Sequence, residues 1–194
     1  MNAIRKAAAT VAVCVLALAA NQAVAQPQNP NVKKMDIFAT AKVGQWAELS
    51  GPYQKDNTIL AVKVKFVNGT ILEDDYEVSG KVLSVDAASQ ELKIVRQWSI
   101  KCQKDAEFKD KNGVAITLAS IKPGMVVEAE GTFKKAEGFI AKEIEEDEVK
   151  EVEEADEISV FGKIEKVDAS AKTIQVSGIT FAITEQTKGK VVMK

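Results

Sequence analysis

One stretch of this chain occurs twice. Lys42–Val64, KVGQWAELSGPYQKDNTILAVKV, returns at Lys122–Ile144 as KPGMVVEAEGTFKKAEGFIAKEI. The spacing is held throughout: Gly44 and Gly124, Glu48 and Glu128, Gly51 and Gly131, Lys55 and Lys135, Ala61 and Ala141. Self-similarity at a fixed offset marks a repeated supersecondary unit. Within the first copy, Trp46, Glu48 and Ser50 alternate with Ala47 and Leu49, the period-two pattern of a half-buried strand. Gly51-Pro52 bends or ends that strand, Gln54–Asn57 supplies hairpin residues, and Thr58–Phe66 returns. The unit is therefore a strand pair, present twice.

A second echo interleaves with the first. Val78–Ile94 resembles Val160–Val176, with Gly80 matching Gly162, Lys81 matching Lys163, and Val85-Asp86-Ala87 matching Val167-Asp168-Ala169. Each reads as strand, Asp-led turn, strand, and Asp86 and Asp168 have the structural task of accepting the turn's own N–H groups. A third strand is predicted between Arg96 and Asp110, a turn at Lys111-Asn-Gly113, and a short helical turn in residues 116–121 before Lys122-Pro-Gly124 stops it. Two strands, a third, a helical connection and two more strands is the order of a five-stranded OB-type barrel. Residues 78–148 contain it complete.

Residues 36–75 hold only the last two strands of such a unit, and 158–194 only the first strands. A sheet piece with open edges is marginal alone, so the two pieces are expected to complete each other. The predicted fold is all-β: two small OB-like β-barrels from internal repeats, one continuous and one assembled from the N- and C-terminal halves. Residues 149–157 form an acidic linker between them. Glu185–Lys194 reads as a basic tail whose Val191-Val192 could pair as an edge strand.

Met1–Lys6 carries Arg5 and Lys6 without an acid, Ala7–Ala20 is an apolar run, and Ala23-Val24-Ala25 is a small-x-small cleavage pattern. Residues 1–25 are read as a cleaved Sec-type signal peptide and 26–35 as a flexible leader. The apolar run falls short of the ~20 residues that span a bilayer, so no stable membrane insertion is expected after cleavage. The expected location is periplasmic or extracellular. Removing Arg5 and Lys6 takes the formal charge from −2 to −4, which disfavours nucleic acid. Only Cys102 then remains, so no internal disulfide is available. On its strand Cys102 shares a face with Trp98 and Ile100 and reads as a packed apolar residue rather than a reactive thiol.

The chain has no histidine, which removes the usual neutral-pH acid/base, the Ser-His-Asp and Cys-His systems and the commonest zinc ligand. No glycine-rich phosphate motif appears. No enzyme and no cofactor are expected. The candidate ligand platform is aromatic: Trp46, Tyr53, Trp98 and Phe133, although the equivalence of Tyr53 with Phe133 in the repeat also suits core packing. The acidic run supplies Glu145, Glu146, Asp147 and Glu148 as candidates for a weakly held divalent cation, without the spacing that pins ligands around one ion.

Gly80-Lys-Val, Val85-Asp-Ala, Ile121-Lys-Pro-Gly-Met-Val-Val-Glu-Ala-Glu-Gly131 and the closing Ala-Lys-Glu-Ile resemble a family of secreted bacterial repeat domains, a domain of unknown function with a small OB-like barrel. More distantly the plan is similar to periplasmic bacterial OB-fold proteins (BOF) linked with stress tolerance, a resemblance that implies cation or small-ligand binding. Neither brings a catalytic motif. The expected function is a non-enzymatic exported binding module for a small ligand, a cation or a protein partner. The alternative is an assembly protein that uses open strand edges to pair with another chain.

Overall fold

In the computed structural model, residues 34–54, 58–72, 75–95, 98–147 and 157–193 are described. The expected signal peptide, most of the leader, Glu148 and the acidic linker up to residue 156 lie outside them. Alternation of apolar and polar residues dominates the described chain, and strands follow from it. They are β1 (Trp46–Pro52), β2 (Ile59–Asn68), β3 (Tyr76–Lys81), β4 (Ser84–Asp86), β5 (Glu91–Val95), β6 (Trp98–Lys109), β7 (Val126–Lys134), β8 (Gly138–Glu146), β9 (Glu157–Asp168), β10 (Thr173–Val176) and β11 (Ile179–Met193). One short helix, α1 (Ile37–Thr40), is capped by the Asp36 carboxylate accepting from the Ala39 N–H at 3.0 Å. A single 3₁₀ turn, Leu118–Ser120, occupies the place where the sequence predicts a helical connection.

Five strands close a barrel. β1 pairs antiparallel with β2 on one side, Ala47 opposite Phe66, and with β9 on the other, Ala47 opposite Gly162. β9 pairs with β10 and β10 with β11. β11 then returns to β2 in parallel, Phe181 beside Ile59 and Val192 beside Val67. The barrel is thus made of residues 46–68 and 157–193. Further strands extend the sheet from β9: β3 pairs with it, Val78 opposite Val160, followed in order by β7, β8, β6, β5 and β4. β6 and β8 run parallel, and the other pairings along this extension are antiparallel.

The alternation sends Leu49, Phe66, Val160 and Phe181 into the barrel, and Val78, Ile100, Val127 and Phe139 into the interior of the further strands. Burying side chains of this size contributes about 1.5–3 kcal/mol each. Gly51 and Gly131 sit where strands cross most closely. A Cβ on either would overlap the carbonyl oxygen of Leu60 or Ile140 respectively.

Two turns do what their sequences indicate. The Asp86 carboxylate accepts from the Ala88 and Ser89 N–H groups, and Asp168 accepts from Ala171. Residues 185–193, read from sequence as a tail, instead continue β11, with Lys188–Met193 paired to β2. The polar composition hid this because the inward positions are Thr187 and Gly189. The Thr187 hydroxyl is buried and donates to the Ala61 carbonyl at 2.7 Å. Gly189 faces Met35 and Ile37, which stand where a side chain would be.

Candidate functional site

β1, β9, β3 and β7 lie side by side, and their registers fix which outward side chains meet. Glu48 stands opposite Phe161, Phe161 opposite Glu77, and Glu77 opposite Glu130. In the next row Ser50 is opposite Ser159, Ser159 opposite Ser79, and Ser79 opposite Glu128. These residues point outward because their strand neighbours Leu49, Val160, Val78 and Ala129 fill the interior. Glu48, Glu77, Ser79, Glu128, Ser159 and Phe161 line a cavity of about 200 Å³.

The lining combines an apolar floor with acidic walls. Phe161 is buried, and Trp46 stacks on it with ring centroids 5.3 Å apart. Glu48 is ion-paired with Lys65 on β2. Burial first, and then the charges of Glu77, Asp147, Glu145 and Glu130, raise the Glu128 carboxyl above its ordinary value. Crowded carboxylates of this kind favour a cation that neutralises them. Among the described residues no three acidic or cysteine side chains come close enough together to hold one metal ion. A positively charged group larger than a bare ion, an ammonium or guanidinium, can instead span the walls through several hydrogen bonds.

The aromatic candidates are engaged in packing. Trp46 is half-buried against Tyr76 at 4.8 Å, with the Lys163 ammonium 5.4 Å from its ring centroid. Phe133 lies 6.3 Å from Tyr76 and against Gly178. Trp98 donates its indole N–H to the Ser177 carbonyl at 3.0 Å and sits 5.5 Å from Phe139. Trp46 and Phe133 therefore meet through Tyr76, and Phe133 and Trp98 meet at the Ser177-Gly178 turn. Tyr53 is bridged to Ile59 just beyond the end of β1 and packs against the hydrophobic core. The Cys102 thiol is pushed up to about 11, chiefly by burial, with Glu91 adding to it.

Of the acidic candidates, Glu145 and Glu146 are consecutive on β8 and so point to opposite faces. Glu145 lies opposite Glu128 and Lys109, and Glu146 opposite Val127. Asp147 follows the strand, exposed. Sequence reasoning did not assemble the cavity. The one available signal was the equivalence of Glu48 and Glu128, charged positions kept in both copies of the strand pair.

Residues 79–145 and 161–191 match the family described as Domain of unknown function (DUF5666). No curated protein and no solved structure matches the chain.

Proposed function

The chain belongs to the family described as Domain of unknown function (DUF5666), and we propose that it is a non-enzymatic binding module of two OB-like barrels. The module is exported to the periplasm or the extracellular space and holds a small ligand bearing a cationic group.

Strand-by-strand correspondence supports the two-barrel reading. The order β9, β10, β11, β2, β1 is repeated by β3 with β4, then β5, β6, β8 and β7. Each set has one parallel pair. In one, Ile183 stands beside Ala61 before the register shifts, and in the other Cys102 stands beside Ala141 before the same kind of shift. Gly51 and Gly131 meet the returning strand at corresponding carbonyls. Residues 36–75 and 158–194 make up one unit and 78–148 the other.

The observation that carries the ligand class is the cavity where the two units share a sheet, with Glu48, Glu77 and Glu128 around Phe161. The resemblance to periplasmic OB-fold stress-tolerance proteins agrees with it. Pairing of open strand edges with another chain has less support, since β1 is flanked by β2 and β9, and β4, which ends the strand order beside β5, is only 3 residues long. Export is supported by the charged, apolar and small-residue segments of residues 1–25.

A thermal-shift screen of the purified protein tests the reading. Polyamines, guanidinium compounds and divalent cations should be compared on the native chain and on Glu77→Gln/Glu128→Gln. Organic cations are expected to raise the melting temperature of the native chain and to lose that effect in the variant. No response to any cation, or an equal response in both proteins, would sink it.

A further inference from the structure

Two blocks of like charge stand on the outer face of the sheet. On β2 and β11 the parallel register sets Lys63 beside Lys188 and Lys65 beside Lys190. On β7 and β8 the antiparallel register sets Glu128 beside Glu145 and Glu130 beside Glu143. Like charges directly opposite each other destabilise a sheet. Both blocks therefore stand in the single chain at a loss, only partly relieved. Lys65 has Glu48, Glu130 has Lys142 at 2.9 Å, and Glu143 has Lys109 at 2.6 Å. Among the described residues no acid pairs with Lys63, Lys188 or Lys190, and all three are exposed.

We infer that the lysine block of one molecule docks on the glutamate block of a second copy of this chain, in a head-to-tail association. The two blocks match in pitch as well as in sign. Each is a two-by-two array on neighbouring strands, with ~4.8 Å between strands and ~6.6 Å between alternate residues along a strand. Lys63, Lys188 and Lys190 of one molecule can therefore face Glu128 and Glu145 of the next without breaking a pair, and Glu130 and Glu143 join the contact by sharing their carboxylates with Lys142 and Lys109. The blocks occupy different strands, so one molecule uses its lysines toward one neighbour and its glutamates toward another. Such a heterologous interface propagates into a chain or closes into a ring. Net charge does not separate a second copy from a foreign polyanion, since both are negative; the spacing of the charges does. The acidic array of a second copy presents matching geometry.

Sedimentation velocity of the purified protein over a concentration series tests this. Exposed ion pairs are screened by salt, so mass-weighted size should rise with concentration at ~0.01 M ionic strength, where the Debye length is ~30 Å. It should collapse to the monomer at ~1 M, where that length is ~3 Å. Lys188→Glu/Lys190→Glu and Glu143→Lys/Glu145→Lys should each be monomeric at low salt. Mixed together they should associate again as a one-to-one pair, since the first keeps the intact glutamate block and the second the intact lysine block, while each altered block carries two charges of either sign and is neutral. Lys188→Ala/Lys190→Ala, which introduces no new charge, should also lose association, and circular dichroism confirms that each variant is folded. A native chain that stays monomeric under all conditions overturns the inference. So does association that survives in the alanine variant, or a monomer that instead binds polyglutamate. Glu128 belongs to both the cavity and the docking block, so the ligand response is read on Lys188→Ala/Lys190→Ala, which leaves the cavity lining unchanged and should not associate.

Discussion

Replacing Gly51 or Gly131 with alanine should open the sheet at its tightest crossings. Beyond the overlap with the facing carbonyl oxygen, a Cβ on Gly51 would lie 2.8 Å from the Leu60 carbonyl carbon, and one on Gly131 2.8 Å from the Ala141 Cα. These neighbours are backbone and cannot rotate away. The strands must part by on the order of 1 Å, which stretches the flanking ladder bonds past ~3.5 Å. Two weakened backbone bonds at ~1 kcal/mol each, added to ~1–3 kcal/mol of overpacking, give a loss of about 3–5 kcal/mol. For a folded body spanning Lys34–Lys194, unfolding entropy of roughly 2.1 cal/mol/K per residue converts this into a fall of roughly 9–15 °C. Gly80→Ala is the control. Its Cβ would lie 3.4 Å from the Ile158 Cγ1 and 3.6 Å from the Ile94 Cδ1, ordinary contact with side chains. That variant should melt within ~2 °C of the native protein, the small unfolded-state gain of Gly→Ala offsetting minor crowding. Differential scanning calorimetry decides the matter. If Gly51→Ala and Gly131→Ala melt with the control, the close approach of the strands at Leu60 and Ile140 is refuted.

Other substitutions read other parts of the structure. Trp98→Phe removes the indole donor to the Ser177 carbonyl and should cost about 0.5–1.5 kcal/mol, measured as a shifted urea midpoint at unchanged slope. The Glu128 carboxyl is raised in the folded state, so the native protein binds the proton more tightly than the unfolded chain does. Its contribution therefore weakens stability as pH rises from the ordinary carboxylate range through the raised value, and Glu128→Gln should flatten that part of the stability–pH profile. Hydrogen bonds at Asp86 and Asp168 hold their carboxyls below the ordinary value, so stability from these turns is present at neutral pH and lost as pH falls through the lowered values. Asp86→Asn/Asp168→Asn should reduce that acid-side loss, a comparison made by denaturant unfolding across pH. Deleting residues 186–194 removes the Lys188–Met193 part of the parallel pairing of β11 with β2, leaving Phe181–Ile183 paired, and should lower the melting temperature of the barrel and raise hydrogen exchange along the second half of β2.

Much of the strand content was legible because its determinants are local. Alternation at Ala47 and Leu49, the Asp86 and Asp168 turns, and the stop at Lys122-Pro-Gly124 depend on neighbours in sequence. The cavity was not legible. Phe161 faces Glu48 and Glu77 only because β9 takes β1 on one side and β3 on the other, a register that no single stretch encodes. The aromatic residues drew attention as a platform because sequence shows their chemistry but not their neighbours. In the structure Trp46 rests on Phe161 and Tyr76, and Trp98 is tied to a turn 79 residues away. The Thr187 position was missed for the opposite reason, since a hydroxyl satisfied by a distant carbonyl looks like surface until the partner strand is in place.

The barrel formed by the first and last strands also dictates when it can mature. Trp46 must wait for Lys163, and Phe66 for Val191, so the opening hairpin leaves the ribosome long before anything exists to cover it. Synthesis alone therefore imposes a delay, during which residues 78–146 can collapse while the earlier hairpin remains open to chaperones and to any unfolded-chain translocation machinery.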